Sequence, residues 1–227
     1  MQRPPILSEA DHRRVSEAVA AAEAHTSGEI VTIVADRSDG YDDVALVWSA
    51  LVTFVALAVL ALFPDFYLAL IGQVLGHWNA EHTPRFIFAL AAFVGTIKFA
   101  ATWLILLWQP LRFVLIPPPI KAARVRERAI ACFRIGAERR TRGRTGILIY
   151  LSMREHRAEI VADESIAGKL DPAVWGDAMA AMLVELKAGR TAEGMIAAVG
   201  KVGALLAAHL PSDAQDTNEL PDRLIEV

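Results

Sequence analysis

Cysteine is nearly absent from this sequence: Cys132 stands alone among 227 residues. An internal disulfide is therefore excluded, and so is any metal site built on several thiolates. Aromatic residues amount to 7% and the net charge is −3, so no global positive excess points to nucleic acid. Aromatics do not interleave with the arginines of the basic segment, which removes the stacking platform of a single-strand binder. The first forty residues lack the apolar run and small-residue cleavage site of a secretory leader. The N-terminus is therefore expected to remain on the chain and on the cytoplasmic side.

Two long stretches lack charge instead. Hydrophobic residues reach 54% and the mean hydropathy is +0.36, above an average soluble domain. The excess is concentrated between Tyr41 and Ile116. Val44–Leu62 reads VALVWSALVTFVALAVLAL, and a helix of that length is about 29 Å long, close to the ~30 Å hydrocarbon core. Phe86–Trp108 reads FIFALAAFVGTIKFAATWLILLW, interrupted only by Lys98. A mid-span lysine costs about 2.5–3.5 kcal/mol on insertion scales. With no acid in the other span, it reads as a lysine bent toward headgroups or paired with a carbonyl rather than as part of an ion path. Trp48, Trp103 and Trp108 fall toward span ends, as interfacial aromatics do. Between the spans, Phe66–Trp78 is too short to cross and reads as a helix lying in the interface.

Positive charge is one-sided. The loop between the spans carries Arg85. From Arg112 to Arg144 there are ten Lys/Arg, including Lys121, Arg124, Arg126 and Arg128, against Glu127 and Glu138. Positive charge accumulates in the cytoplasm, so both termini are expected inside, in a multi-pass protein of the cell inner membrane. The same residues, Lys121, Arg124, Arg126 and Arg128, are expected to attract anionic lipid headgroups, at about 1 kcal/mol per charge.

Either side of the spans the sequence reads as ordinary α/β material. Ser8-Glu9-Ala10-Asp11 has capping-box spacing, and Val15, Ala18, Val19 and Ala22 follow with helical periodicity over 8–24. Glu29–Ala35 (EIVTIVA) is a short β-branched strand. A lone strand has no ladder partner, so its partners must lie beyond the spans. Thr145–Ser152 and Arg157–Ala162 there predict a hairpin. A basic helix over 120–136 precedes it. A helix from Asp171-Pro172 to about Ala188 and another capped by Thr191 and reaching His209 follow it. The expected fold is α/β: a small mixed β-sheet with flanking helices, interrupted by a two-helix transmembrane hairpin. Residues 8–38 and 117–211 make the two parts of one domain and 41–116 the membrane insertion. The acidic tail 212–227 is read as disordered, with an exception left open around NELPDRLIEV.

The phrases SGEIVTIVAD, RTGILIYLSMREHRAEIV and LKAGRTAEGMIAAVGKVGALLAAHLP, in that order, resemble the TPM domain family, in its bacterial membrane-protein subgroup with two inserted spans. The resemblance covers Ser8–Ala35 and Ala122–Leu210. It implies either weak acid-phosphatase activity or an auxiliary role beside a membrane complex. Many members follow the hairpin with a glycine-rich loop and acidic residues. This chain has ADESIAGKLDP, with Asp163 and Ser165 near the glycine positions, Ala167 about where a glutamate stands and Pro172 about where an aspartate stands. That departure points away from inherited catalysis.

Asp163, Glu164, Asp171 and Glu29 are the candidate metal ligands. As oxygen donors they suit Ca²⁺ or Mg²⁺. The competing reading has Asp163 and Glu164 solvating a turn, Asp171 capping its helix and Glu29 pairing with an arginine. His156 is read as a solvent-facing turn residue, His77 and His82 as interfacial, and Cys132 as a packed small residue. The leading expectation is a non-enzymatic module for a membrane-protein partner, without a cofactor. The alternative is a weak metal-dependent acid phosphatase.

Overall fold

The β-branched runs Glu29–Ala35 and Gly146–Ser152 pair in parallel, from Glu29 opposite Gly146 to Ala35 opposite Ser152. A computed structural model of the chain describes residues 5–75, 83–136, 145–168, 172–212, 220 and 222–227. In chain order its elements are α1 (Glu9–Glu23), β1 (Glu29–Ala35), α2 (Asp42–Leu62), α3 (Pro64–Leu75), α4 (Pro84–Leu106), α5 (Gln109–Leu115), α6 (Pro118–Gly136), β2 (Gly146–Ser152), β3 (Arg157–Ala162), α7 (Glu164–Ala167), α8 (Pro172–Lys187), α9 (Thr191–His209) and β4 (Ile225–Glu226). They divide into two units, Met1–Asp39 with Pro118–Val227, and Gly40–Pro117.

In the first unit the sheet order is β3-β2-β1-β4, with β3 antiparallel to β2 and β4 parallel to β1. Every residue of β1 and β2 is buried, as parallel strands covered on both faces require. Alternate side chains go to opposite faces. Ile30, Val34, Ile147, Ile149 and Leu151 join Val15 and Val19 of α1, Met182 of α8, and Met195, Val199, Val202 and Leu206 of α9. Val31, Ile33, Leu148 and Tyr150 meet Val125, Ala129 and Phe133 of α6 on the other side. Parallel neighbours need a crossover. Here α6 supplies it, and the second unit is spliced into the connection from β1 to α6.

Local signals explain some helix ends. Ser8 caps α1, its Oγ accepting from the Asp11 N–H at 3.2 Å and donating to Asp11 Oδ2 at 2.7 Å. Gly189, at φ +75°, closes α8 in the left-handed conformation open to glycine. Thr191 is not a cap, contrary to expectation. Arg190 holds that place without a capping side chain, its guanidinium tied to Glu185 at 2.6 Å instead.

The exception left open around NELPDRLIEV is where the described part of the tail takes its place in the sheet and core. Leu220 and Leu224 are buried, and Ile225 and Glu226 add β4 beside Ile33 and Val34. Glu226 then accepts from the N–H groups of Ile6 and Leu7, both at 2.9 Å, and pairs with His12 at 2.8 Å. Two leucines at helical or strand spacing in a polar stretch carry too little periodicity to announce this. An open β1 edge makes the strand worthwhile.

In the second unit α2 and α4 pack along each other. Gly95 sits in the seam, where an added Cβ would be 3.6 Å from Thr53 and 3.7 Å from Leu57. The second apolar run does not continue as one helix to Trp108: α4 ends at Leu106 and α5 starts at Gln109. Pro110, near the start of α5, cannot donate to a continuing ladder. The break is bridged by Arg112, which is buried and donates to Leu106 O and Gly40 O, both at 2.8 Å, and to Asp42 Oδ1 at 2.5 Å. Trp48 Nε1 donates to Leu115 O at 3.2 Å, and Tyr41 meets Phe113 edge-to-face at 5.5 Å. Arg112 thus serves inside the unit, although its position in sequence made it the first of the basic run.

Among the described residues three helices are long and apolar enough to cross a membrane: α2, α4 and α9. Their most apolar windows differ in burial, at 17%, 11% and 44% respectively. The reason is packing: α9 lies against α1 and α8 in the first unit.

Candidate functional site

The start of β1 and β2 gathers the buried polar groups. Gly146 N–H donates to Asp163 Oδ2 at 3.2 Å, and Asp163 N–H donates back to Gly146 O at 3.0 Å. Glu29, across the ladder from Gly146, accepts from the Leu220 N–H at 3.2 Å. Thr145 Oγ1 donates to Ser27 O at 2.9 Å, and Thr26 Oγ1 donates to Leu210 O at 2.7 Å while accepting from Gly28 N–H. Glu23 accepts from the Ile30 N–H at 2.6 Å. Burial pushes the Glu23 carboxyl up to about 8; that N–H opposes the rise, and the neighbouring Glu29 and Asp222 carboxylates add to it.

The four sequence candidates fare differently. Glu29 and Asp163 come to the two sides of Gly146 and are buried, at 7% and 6% exposure. Each accepts a backbone N–H. Glu164 is exposed and begins α7, a single helical turn. Asp171 lies outside the described residues. Among the described residues no three His, Cys, Asp or Glu side chains come together to hold a metal ion. A hard cation needs several converging oxygens. The sequence reading missed Glu23 and Asp222. Glu23 did carry a signal: it extends the Val15–Val19 stripe by one turn, placing an acid on the buried face of α1. Asp222 carried none, because only β4 brings it there.

At the opposite ends of these strands lies a second polar group. Glu155, buried, accepts from the Ser38 N–H at 3.0 Å and from Ser152 Oγ, and Ser38 Oγ bonds the Tyr150 hydroxyl at 3.1 Å. This ties the β2–β3 turn to the exit of β1. His156, at φ 51°, is exposed in that turn. Cys132 packs beside the α6 core, and burial pushes its thiol up despite the nearby Arg128; a reactive thiolate needs the opposite.

The basic helix α6 is partly engaged. Arg124 pairs with Asp39 at 3.2 Å and Glu127 at 3.6 Å, and Arg126 with Glu159 at 3.7 Å. Arg126 and Arg128 remain exposed and Lys121 is half-buried.

Residues 112–205 match the TPM domain. The matched stretch holds α6, β2, β3, α7 and α8 whole, with Asp163 and Glu164 inside it and Glu29 before it. No curated protein matches the chain. Among solved structures, the chain is similar to the NMR structure of BA42 protein from the psychrophilic bacteria Bizionia argentinensis sp. nov.. The TM-score is 0.57 at 16% identity, covering 100% of this chain and 99% of that one. At that identity the likeness concerns the fold. The unit that contains the matched stretch draws its central strand β1 from outside it, which is why the N-terminal segment belongs to the same unit.

Proposed function

We propose that this chain is an integral membrane protein whose two-helix hairpin, α2 and α4, anchors a cytoplasmic TPM domain as a non-enzymatic auxiliary or scaffold module for a membrane complex. The observation that carries the reading is the pair of long apolar helices with 17% and 11% of their windows buried, spliced into one connection of a domain whose own cores are filled without them. In this reading α9 is a core helix, and both termini face the cytoplasm of a cell with the protein in its inner membrane. Exposed Arg126 and Arg128, with Lys121 and Arg124 beside them, would meet anionic headgroups. A weak metal-dependent phosphatase is the second reading. It draws on the acidic groups at the start of β1 and β2, where Glu23, Glu29 and Asp163 each accept one backbone N–H.

Topology tests the proposal. In a Cys132→Ala background, Asn79→Cys should react with a membrane-impermeant maleimide in intact cells, and Asp213→Cys should react only after lysis. Labelling of both in intact cells, or of Asp213→Cys alone, would sink it.

A further inference from the structure

Lys98 is the one charge between Phe86 and Trp108. It is exposed on α4, and among the described residues it has no hydrogen bond or ion pair. Its place on the helix is defined by Gly95, which faces Thr53 and Leu57 of α2. Three residues further on, Lys98 lies about 60° around the helix, beside the α2–α4 seam.

Escape toward water is poorly available. From Lys98 the helix runs about 12 Å to Leu106 and about 21 Å to Pro84. The Cα–Cβ bonds of a helix lean toward its N-terminus, so the side chain is thrown toward the farther end. Snorkelling works best near a span end. A lysine at this depth is therefore better answered by an opposite charge brought to it.

We infer that the α4 face centred on Lys98 docks a transmembrane helix of another protein, one carrying a carboxylate at the same depth. This rests on the membrane reading above and gives the partner its chemistry. Charge complementarity selects the occupant. A second copy offers no acid, since neither Val44–Leu62 nor Phe86–Trp108 contains Asp or Glu, and it would set lysine near lysine. Ala101, one turn on from Lys98, is small and exposed, which lets a partner backbone approach closely.

The test uses the full chain with Cys132→Ala and Ala101→Cys, reconstituted in phosphatidylcholine vesicles. The probe is a synthetic leucine–alanine helix of spanning length with one central glutamate and a cysteine one turn away. Its control carries glutamine in place of the glutamate. The mixed disulfide should form at least fivefold more with the glutamate probe. Lys98→Met should lower it to the glutamine level, and Lys98→Arg should retain it. Equal yields for the two probes, a yield indifferent to Lys98→Met, or disulfides mainly between two copies of the chain would each overturn the inference. If alkaline carbonate strips the protein from the vesicles, the membrane reading itself fails, and the inference with it.

Discussion

Where α1 meets α9, a methyl group decides the packing. A Cβ placed on Gly203 would lie 2.6 Å from Ala22 Cβ and 3.3 Å from Ala22 Cα. Carbon atoms attract best at about 3.5–4.0 Å, so Gly203→Ala forces the helices apart by roughly 1 Å. Neither contact is the end of a flexible side chain, so nothing can swing away. Gly200, three residues earlier on α9, has nothing within 4 Å of its would-be Cβ. Alanine gains about 1 kcal/mol of helix propensity over glycine at either position. Gly200→Ala should therefore stabilise by about 0.5–1 kcal/mol. Gly203→Ala sets the same gain against about 1–3 kcal/mol of overpacking. The two variants should differ by about 1–3 kcal/mol, or roughly 2–12 °C in melting midpoint for a chain of this size. Thermal unfolding of the detergent-solubilised full chain, followed by proteolysis of the first unit, reads the difference. Adding Ala22→Gly to Gly203→Ala should cost less than the two changes summed, by about 1 kcal/mol or more. Equal midpoints for the two glycine variants, with no coupling to Ala22, would refute the reasoning.

The remaining expectations concern pH, the C-terminal strand and catalysis. Glu23 titrates near 8 in the fold against an ordinary 4.5, so its contribution to stability is full below about 4.5 and lost as pH rises through about 8. Glu23→Gln should flatten the fall in melting midpoint across that window, and parallel wild-type and variant curves would count against the buried carboxyl. Glu226 works in the other direction: burial tends to raise it, but the Ile6 and Leu7 N–H groups and His12 hold it low. Its contribution is present above the ordinary carboxylate value and fades as pH falls through the depressed one. Deleting 220–227 uncovers the β1 edge and the pockets of Leu220 and Leu224, at several kcal/mol; cleavage of the first unit should speed up more than tenfold, and an unchanged rate would show the strand to be ornamental. Purified protein should hydrolyse p-nitrophenyl phosphate no faster than an Asp163→Asn/Glu164→Gln variant, with or without Ca²⁺ or Mg²⁺. A divalent-dependent rate lost in that variant would put the phosphatase reading first.

The sequence by itself determined whatever rests on local chemistry. The β-branched runs marked β1, β2 and β3, Ser8 marked the start of α1, and Gly189 the end of α8. It also determined the inserted apolar helices, because charge-free length is a property of composition. That β1 needs a partner from beyond the insertion follows from its being a lone strand, and β2 is that partner. Tertiary structure decided the rest. The apolar run ending at Trp108 did not show that Arg112 would bridge a break after Leu106, because the bonds to Gly40 and Asp42 join segments far apart in the chain. The carboxylates at the start of β1 illustrate the same limit. Glu29 and Asp163 were candidates by residue type, but their backbone partners, Leu220 and Gly146, come from other parts of the chain and could not be read from the sequence. Asp222 joins Glu23 only because β1 had an open edge for β4 to fill. A chain pattern records which residues prefer to be buried or turned; which buried acid meets which amide is fixed when the sheet closes.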